Sequence, residues 1–329
     1  MKKIMNQPGT IVEEMLQGLA LCDPRLACFP EKRVIARKEK TEKVGLVTAG
    51  GSGHEPAHAG YVGMGMLDAA VAGNVFASPS PDQMLKGIEE ANTGRGVLMI
   101  LKNYTGDLMN FSMAKELAEM EDITVDSVVV KDDVAVPDST YSAGRRGIAG
   151  TVFIHKIAGA KARQGADLDQ VKQAACKAIG RLRTMGMSMT ACTLPGLEKP
   201  GFKLDENEIE IGMGIHGEPG IEKTVMKTSR EIAEILLEKI LADYDYHGAE
   251  AAMLVNGLGG TPLMELYVFA RDAAEILEEK GVILSRVYVG NYMTALDMAG
   301  CSISLLKLDG ELTGLLDAPC DTPAWKQLP

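Results

Sequence analysis

Three short apolar runs, Val44 to Val47, Val97 to Leu101 and Val125 to Val130, punctuate the first half of the chain, and glycine-rich or polar loops and helical spacing follow them. Runs of strand length without alternating polar residues belong to strands covered on both faces. Their alternation with helices predicts a parallel sheet between two helical layers, with ligands beyond the carboxyl ends of the strands. The helices are read at Ile11 to Leu21, from the cap Ser78-Pro79-Ser80-Pro81-Asp82 through Glu90, at Leu108 to Met120, at Ile148 to Gln164 and at about Leu168 to Met185.

The second half reads differently. Ser188 to Leu194 leads into the Pro/Gly-bearing segment Pro195 to Lys203, a composition shift that signals a boundary. The domains are accordingly set at 1–185 and 186–329. Strands at Glu208 to Met213, Ala252 to Val255 and Val282 to Val289 are interleaved with helices at Glu231 to Asp243 and Pro262 to Glu279. The runs Ser302 to Leu308 and Glu311 to Leu316 flank Asp309-Gly310, a hairpin signal. The expected fold class is α/β with two domains: a three-layer parallel-sheet N-terminal domain and a smaller α+β C-terminal domain on a mixed sheet.

A formal net charge of −11 with 5% aromatic residues excludes a nucleic-acid partner, which would require clustered Lys and Arg. Six cysteines without a C-x-x-C pair suggest neither a zinc site nor a disulfide framework. The N-terminus, Met1 to Pro8, has two lysines but no long apolar run, and no stretch reaches membrane-spanning length, so a cytoplasmic location is expected.

The first apolar run enters Gly50-Gly51-Ser52-Gly53-His54-Glu55-Pro56. As a phosphate cradle this turn lacks the Lys-Ser/Thr of a P-loop and has Pro56 where a dinucleotide fingerprint needs glycine. A tight structural turn is one reading; backbone N–H groups offered to a small polar ligand beside His54 is the other. His216 could be a hydrogen-bonded core histidine, but Gly212, Gly214, Gly217 and Gly220 around it leave room for a ligand. Asp107 suits either a helix cap or a general base. Two histidines and a carboxylate at strand-end loops fit work on a hydroxylated substrate, and no H-E-x-x-H spacing supports a metal site. His58, His155 and His247 have no comparable setting.

The motifs Gly51-Ser52-Gly53-His54-Glu55-Pro56, Lys102-Asn103-Tyr104-Thr105-Gly106-Asp107, Asp132-Asp133-Val134-Ala135-Val136, Gly144-Arg145-Arg146-Gly147 (following Ser142-Ala143) and Gly214-Ile215-His216-Gly217-Glu218-Pro219-Gly220 occur in one order. With Thr261-Pro262-Leu263, Leu296-Asp297-Met298 and Asp317-Ala318-Pro319, they resemble the dihydroxyacetone-binding subunits of bacterial dihydroxyacetone kinases of the phosphotransferase-system type, over nearly the whole chain. The resemblance implies a homodimer whose closing residues return to the first domain. It implies that His216 holds the ketone as a covalent hemiaminal, that Asp107 is the base on the hydroxyl to be phosphorylated, and that His54 hydrogen-bonds substrate. Gly51, Ser52, Gly53 and Lys102 match substrate-contacting positions. The chain ends at Pro329 without the helical nucleotide domain of single-chain relatives, so no cofactor is expected in this chain. The expected partners are a subunit carrying Mg–ADP or Mg–ATP and, behind it, a phosphohistidine donor protein. The alternative within the same resemblance is a dihydroxyacetone-sensing transcriptional coactivator.

Overall fold

A computed structural model of the chain describes residues 2–137 and 144–328. Met1, Ser142, Ala143 and Pro329 lie outside the described residues. In chain order the first unit comprises α1 (Ile11–Cys22), β1 (Leu26–Phe29), β2 (Val34–Arg37), β3 (Gly45–Ser52), β4 (Ala69–Val75), α2 (Pro81–Ala91), β5 (Val97–Lys102), α3 (Thr105–Met120), β6 (Val125–Val130), α4 (Thr151–Arg163) and α5 (Leu168–Gly180). Its sheet runs β1-β2-β4-β3-β5-β6. The strands from β4 to β6 are mutually parallel, and β1 and β2 join antiparallel at one edge.

The predicted double covering is met residue by residue. In β3 and β5, Val47, Val97, Met99 and Leu101 pack towards α2 and α3 with Met84, Ile88, Phe111 and Ala114. Their neighbours Leu46, Leu98 and Ile100 pack on the other face against Val152, Phe153 and Ile157 of α4 and Val171 and Ala175 of α5. This is the alternation of the pleat with both faces in hydrocarbon. The cap read before α2 is present, with the Ser80 backbone N–H donating to Gln83 Oε1 at 2.9 Å.

The second unit comprises β7 (Leu182–Ser188), β8 (Glu208–Ile211), β9 (Glu222–Val225), α6 (Ser229–Asp243), β10 (Glu250–Gly257), α7 (Leu263–Glu279), β11 (Ile283–Gly290) and β12 (Gly300–Lys307). The sheet order is β11-β10-β12-β7-β8-β9, and only β10 and β11 are parallel. Helices α6 and α7 cover one face. The other face turns Ala252, Leu254 and Leu306 towards α4, so that this helix lies between the two sheets and is buried on nearly every side.

Two local readings change. The sequence predicts one helix to about Met185; instead α5 stops at Gly180 and β7 pairs Leu182 to Ser188 with β12. That pairing is non-local and outweighs the helical spacing of the stretch. The Asp309-Gly310 hairpin is instead the start of α8 (Gly310–Asp317). Asp309 Oδ1 accepts the Leu312 N–H at 3.0 Å, and Leu312, Leu315 and Leu316 are buried at helical spacing.

After α8, β13 (Cys320–Asp321) and β14 (Lys326–Gln327) close the chain. The segment is sewn to the first unit: Asp321 N–H donates to Met64 O at 2.9 Å and Ala324 N–H to Gly60 O at 2.9 Å. The Trp325 ring lies 4.8 Å from Tyr288, 5.5 Å from Tyr292 and 6.5 Å from Phe153 between centroids. Trp325→Ala is expected to cost about 3–5 kcal/mol, the usual range for emptying a buried aromatic site. Urea unfolding followed by far-ultraviolet circular dichroism measures it, and a loss below about 1 kcal/mol would show the closing segment to be peripheral.

Candidate active site

The four parallel strands end side by side, and each delivers residues to one place. Past β3 comes the glycine turn with His54; past β4, Phe76; at the end of β5, Lys102, then Tyr104 and Asp107; past β6, Asp132 and Asp133. The loop between β8 and β9 brings His216 from the second unit. The rings of His54 and His216 are 4.8 Å apart between centroids, so the two glycine-ringed histidines separated by 162 positions form one site.

The glycine turn is held from both units. Leu296 N–H donates to Gly53 O at 2.8 Å, Thr294 N–H to His54 O at 3.1 Å and the Thr294 hydroxyl to Glu55 O at 2.9 Å. Gly53 has φ +98°, and a Cβ there would meet the Phe76 ring at 2.7 Å, so both conformation and close approach require glycine. At Gly51 a Cβ would meet Ala77 N at 2.7 Å. The Ser52 hydroxyl donates to Gly73 O at 2.8 Å and is spent on the sheet. Of this turn, the backbone and His54 are what a ligand could meet.

His54 is fully buried, and its Nδ1 lies 2.7 Å from Thr294 O. A carbonyl oxygen only accepts, so Nδ1 carries the hydrogen and Nε2 keeps a lone pair. Burial, the Lys102 charge and His216 hold this imidazole well below its ordinary pKa. Behind the turn, His58 Nδ1 and His155 Nε2 are 3.0 Å apart; burial pushes the pKa of His155 down to about 3 and that of His58 well below normal. These two histidines, unremarkable in sequence, lie near enough to Lys102 for its charge to help lower both pKa values.

Lys102 is 1% exposed, with Nζ 5.4 Å from the centre of the Tyr104 ring. Burial lowers its pKa, against the pull of Asp107, Glu218 and Asp132. Burial raises the pKa of Asp107, against Lys102, a Ser78 hydrogen bond and His216. Asp107 sits in the first turn of α3. Among the described residues, 10 buried side-chain polar atoms lack a hydrogen-bond partner, and 6 of them belong to His54, His58, Lys102, Tyr104, Asp107 and His155. An unpaired buried polar atom costs about 1–3 kcal/mol, so such a concentration marks a place that a polar ligand completes.

The Asp132-Asp133 motif serves as scaffold. Asp132 accepts the N–H groups of Ile148 at 2.8 Å and Gly150 at 3.0 Å, at the head of α4. Asp133 accepts from Arg146 Nε at 2.7 Å, and Arg146 Nη2 donates to Gly212 O at 2.8 Å, tying the first unit to the His216 loop. Among the described residues no group of three or more His, Cys, Asp and Glu is placed to hold a metal ion, and no helix is long and apolar enough to cross a membrane.

The family model described as the Dak1 domain matches residues 17–324 of this chain. The chain belongs to the Dak1 family. The dihydroxyacetone-binding subunit DhaK of the PTS-dependent dihydroxyacetone kinase 1 of Listeria innocua is 51% identical over 329 residues, covering 99% of this chain and 100% of that protein. The corresponding Lactococcus lactis subunit is 50% identical, with 94% of each chain covered. Among solved Dak1 relatives, the dihydroxyacetone kinase of C. freundii in complex with AMP-PNP and Mg2+ superposes with a TM-score of 0.91 at 34% identity, over 99% of this chain and 61% of that one. The dihydroxyacetone kinase operon co-activator Dha-DhaQ also gives 0.91, at 38% identity, over 96% and 98%.

His54, Lys102, Asp107 and His216 come together here, with the backbone of Gly51 and Gly53 beside them, whereas Asp317 of the last quoted motif pairs with Arg286 elsewhere. Sequence reasoning missed Phe76, Tyr104 and Glu218. Phe76, at φ 58°, stacks on His54 with centroids 5.0 Å apart, and nothing in its neighbourhood announces this. Tyr104 sits inside a quoted motif, but its place against His216, 4.7 Å between centroids, depends on the other unit.

His54, His58 and His155 are neutral when folded, whereas an unfolded imidazole binds a proton below about pH 6.5. Their contribution is therefore intact above that pH and is lost as pH falls towards the folded values, while Asp133, raised to about 6 by burial, acts in the opposite sense. Comparison with His155→Gln isolates one histidine. The destabilisation by that substitution is expected to be largest above pH 6.5 and to shrink by about 1.4 kcal/mol per pH unit below it, read from urea midpoints between pH 7.5 and 5. A pH-independent difference would mean that His155 titrates normally.

Proposed function

We propose that the chain is the dihydroxyacetone-binding subunit of a phosphotransferase-type dihydroxyacetone kinase, presenting the ketose to a separate phosphoryl-donating subunit. The observation that carries this reading is the meeting of the His54 and His216 imidazoles with a buried lysine and a buried aspartate, where His54 Nε2, Lys102 Nζ and Asp107 Oδ1 have no protein partner. The dihydroxyacetone-binding subunits of Listeria innocua and Lactococcus lactis, about half identical to this chain, support dihydroxyacetone as the substrate.

In this reading the His216 Nε2 lone pair adds to the ketone carbon. The C–N bond forms as the carbonyl π pair moves to oxygen, and that oxygen takes a proton from the Lys102 ammonium, which burial makes a readier donor. Trapping through a carbonyl admits short ketoses and refuses glycerol, so reactivity provides the discrimination. His54 Nε2 accepts a hydrogen bond from a substrate hydroxyl. Asp107, at the other end of the bound molecule, takes the proton of the hydroxyl that attacks phosphorus. The nucleotide with its Mg2+ belongs to the partner subunit, whose ADP a phosphohistidine protein recharges, and two copies of this chain form the working dimer.

The likeness to the Dha-DhaQ co-activator supports a second reading, a ketose sensor. A sensor needs the trapping histidine but no base, and this site retains Asp107.

Reconstitution with the matching nucleotide-bearing subunit separates the two. Asp107→Asn is expected to lower dihydroxyacetone phosphate formation about 10²–10⁴-fold, the range for a general base, while retaining the ketone. His216→Ala is expected to lose retention. Wild-type turnover should decline as pH falls through a pKa above the ordinary carboxylate value of 3.8, because burial raises that of Asp107. Full turnover in Asp107→Asn removes the base assignment. Ketose binding without turnover in the reconstituted wild type selects the sensor.

A further inference from the structure

We propose that Glu218 is the positioning residue of this site: its carboxylate grips His216 by Nδ1 and by the backbone, so that the Nε2 lone pair is the one offered to the carbonyl carbon. Glu218 Oε1 lies 2.9 Å from His216 Nδ1, and Oε2 accepts the His216 backbone N–H at 2.9 Å. Both carboxylate oxygens are thus committed to one residue, and the loop is pinned around them. Gly214 N–H donates to Glu218 O at 3.0 Å, and Gly217 N–H donates to Gly214 O at 3.0 Å. A Cβ at Gly214 would collide with the Glu218 carboxylate, which explains a bare Cα at that point of the loop.

A carboxylate accepts and does not donate, so a hydrogen of the His216 imidazole resides on Nδ1. Rotation of the ring is blocked as well. His54, Phe76 and Tyr104 surround it edge to face, with centroids 4.8, 5.2 and 4.7 Å away and interplanar angles of 73°, 79° and 82°. Burial alone would raise the Glu218 pKa, yet its bonds to His216 bring it down to about 2, so the group is an anion at working pH.

The role rests on His216 being the nucleophile, and it follows from the charge balance of the addition. When Nε2 bonds to carbon and the oxygen takes the Lys102 proton, the positive charge that leaves the ammonium reappears on the imidazolium. Glu218 lies against Nδ1, where that charge develops, and stabilises the adduct more than the free imidazole.

The full-length chain with [2-13C]dihydroxyacetone gives the test. Carbon-13 spectra distinguish the free ketone from a saturated carbon bound to protein, and titration gives the retention of each form. Wild type is expected to show the bound saturated carbon and His216→Ala to lack it. Glu218→Gln, which keeps shape but loses charge, is expected to weaken retention about tenfold or more, and Glu218→Asp to recover part of the loss. Equal thermal midpoints certify that the variants are folded. Retention by Glu218→Gln within about twofold of wild type overturns the proposal. Nitrogen-15 spectra of histidine-labelled wild type decide independently of any variant: hydrogen on Nδ1 of His216 is expected, and hydrogen on Nε2 overturns the proposal. No bound saturated carbon in wild type would sink the nucleophile itself, while the nitrogen spectra would still decide what Glu218 holds.

Discussion

The carboxylate of Asp132 is the interaction on which this architecture turns. Helix α4 is packed between two sheets, so water cannot satisfy the N–H groups at its head. Asp132, just past β6, takes the N–H groups of Ile148 and Gly150 and a hydroxyl hydrogen bond of 2.5 Å from Thr184 of β7. One buried carboxyl group therefore joins the last parallel strand, the central helix and the second sheet. Burial raises its pKa, and these hydrogen bonds oppose the rise. Further along the same helix, Lys156 Nζ donates to Leu315 O at 2.9 Å and Ala318 O at 2.6 Å, which draws the closing segment of the chain onto α4.

With the units joined in this way, the ends of four parallel strands face the β8–β9 loop, and the site forms between them. Among the described residues it gathers 6 of the 10 buried side-chain polar atoms that lack partners. This arrangement costs stability, and the cost is intelligible where a ligand replaces the missing partners. The polarity is also directed. Thr294 O holds the hydrogen of His54 on Nδ1, Glu218 holds that of His216 on Nδ1, and the Lys102 charge lowers the pKa of His54. The fold thus gathers two imidazoles, a buried lysine and a buried aspartate in one place.

Much of this was readable from the chain because the signals are local. The buried strands β3 and β5 announce themselves as uninterrupted apolar runs, and His54 and His216 stand out among glycines that only tight backbone approach explains. The two outer strands β1 and β2, and β4 inside the glycine-rich stretch, carry weak signals because their pairing partners supply the order. Asp309-Gly310 shows the ambiguity of a dipeptide: it fits a hairpin turn as well as a helix cap, and the burial of Leu312, Leu315 and Leu316 decides between them. His58 and His155 looked ordinary because their meaning lies in a contact across 97 positions.

What the sequence by itself determined was the set of chemical groups, the strand ends that carry them and the family they resemble, since each depends on residues within a few positions of one another. Tertiary structure alone decided that the two glycine-ringed histidines share a site, which imidazole nitrogen each one offers, and that Phe76, Tyr104 and Glu218 belong with them. Tautomer, burial and ring packing are set by neighbours distant in the chain. Folding brings those neighbours within hydrogen-bonding distance, where the low dielectric of the interior gives each contact its strength.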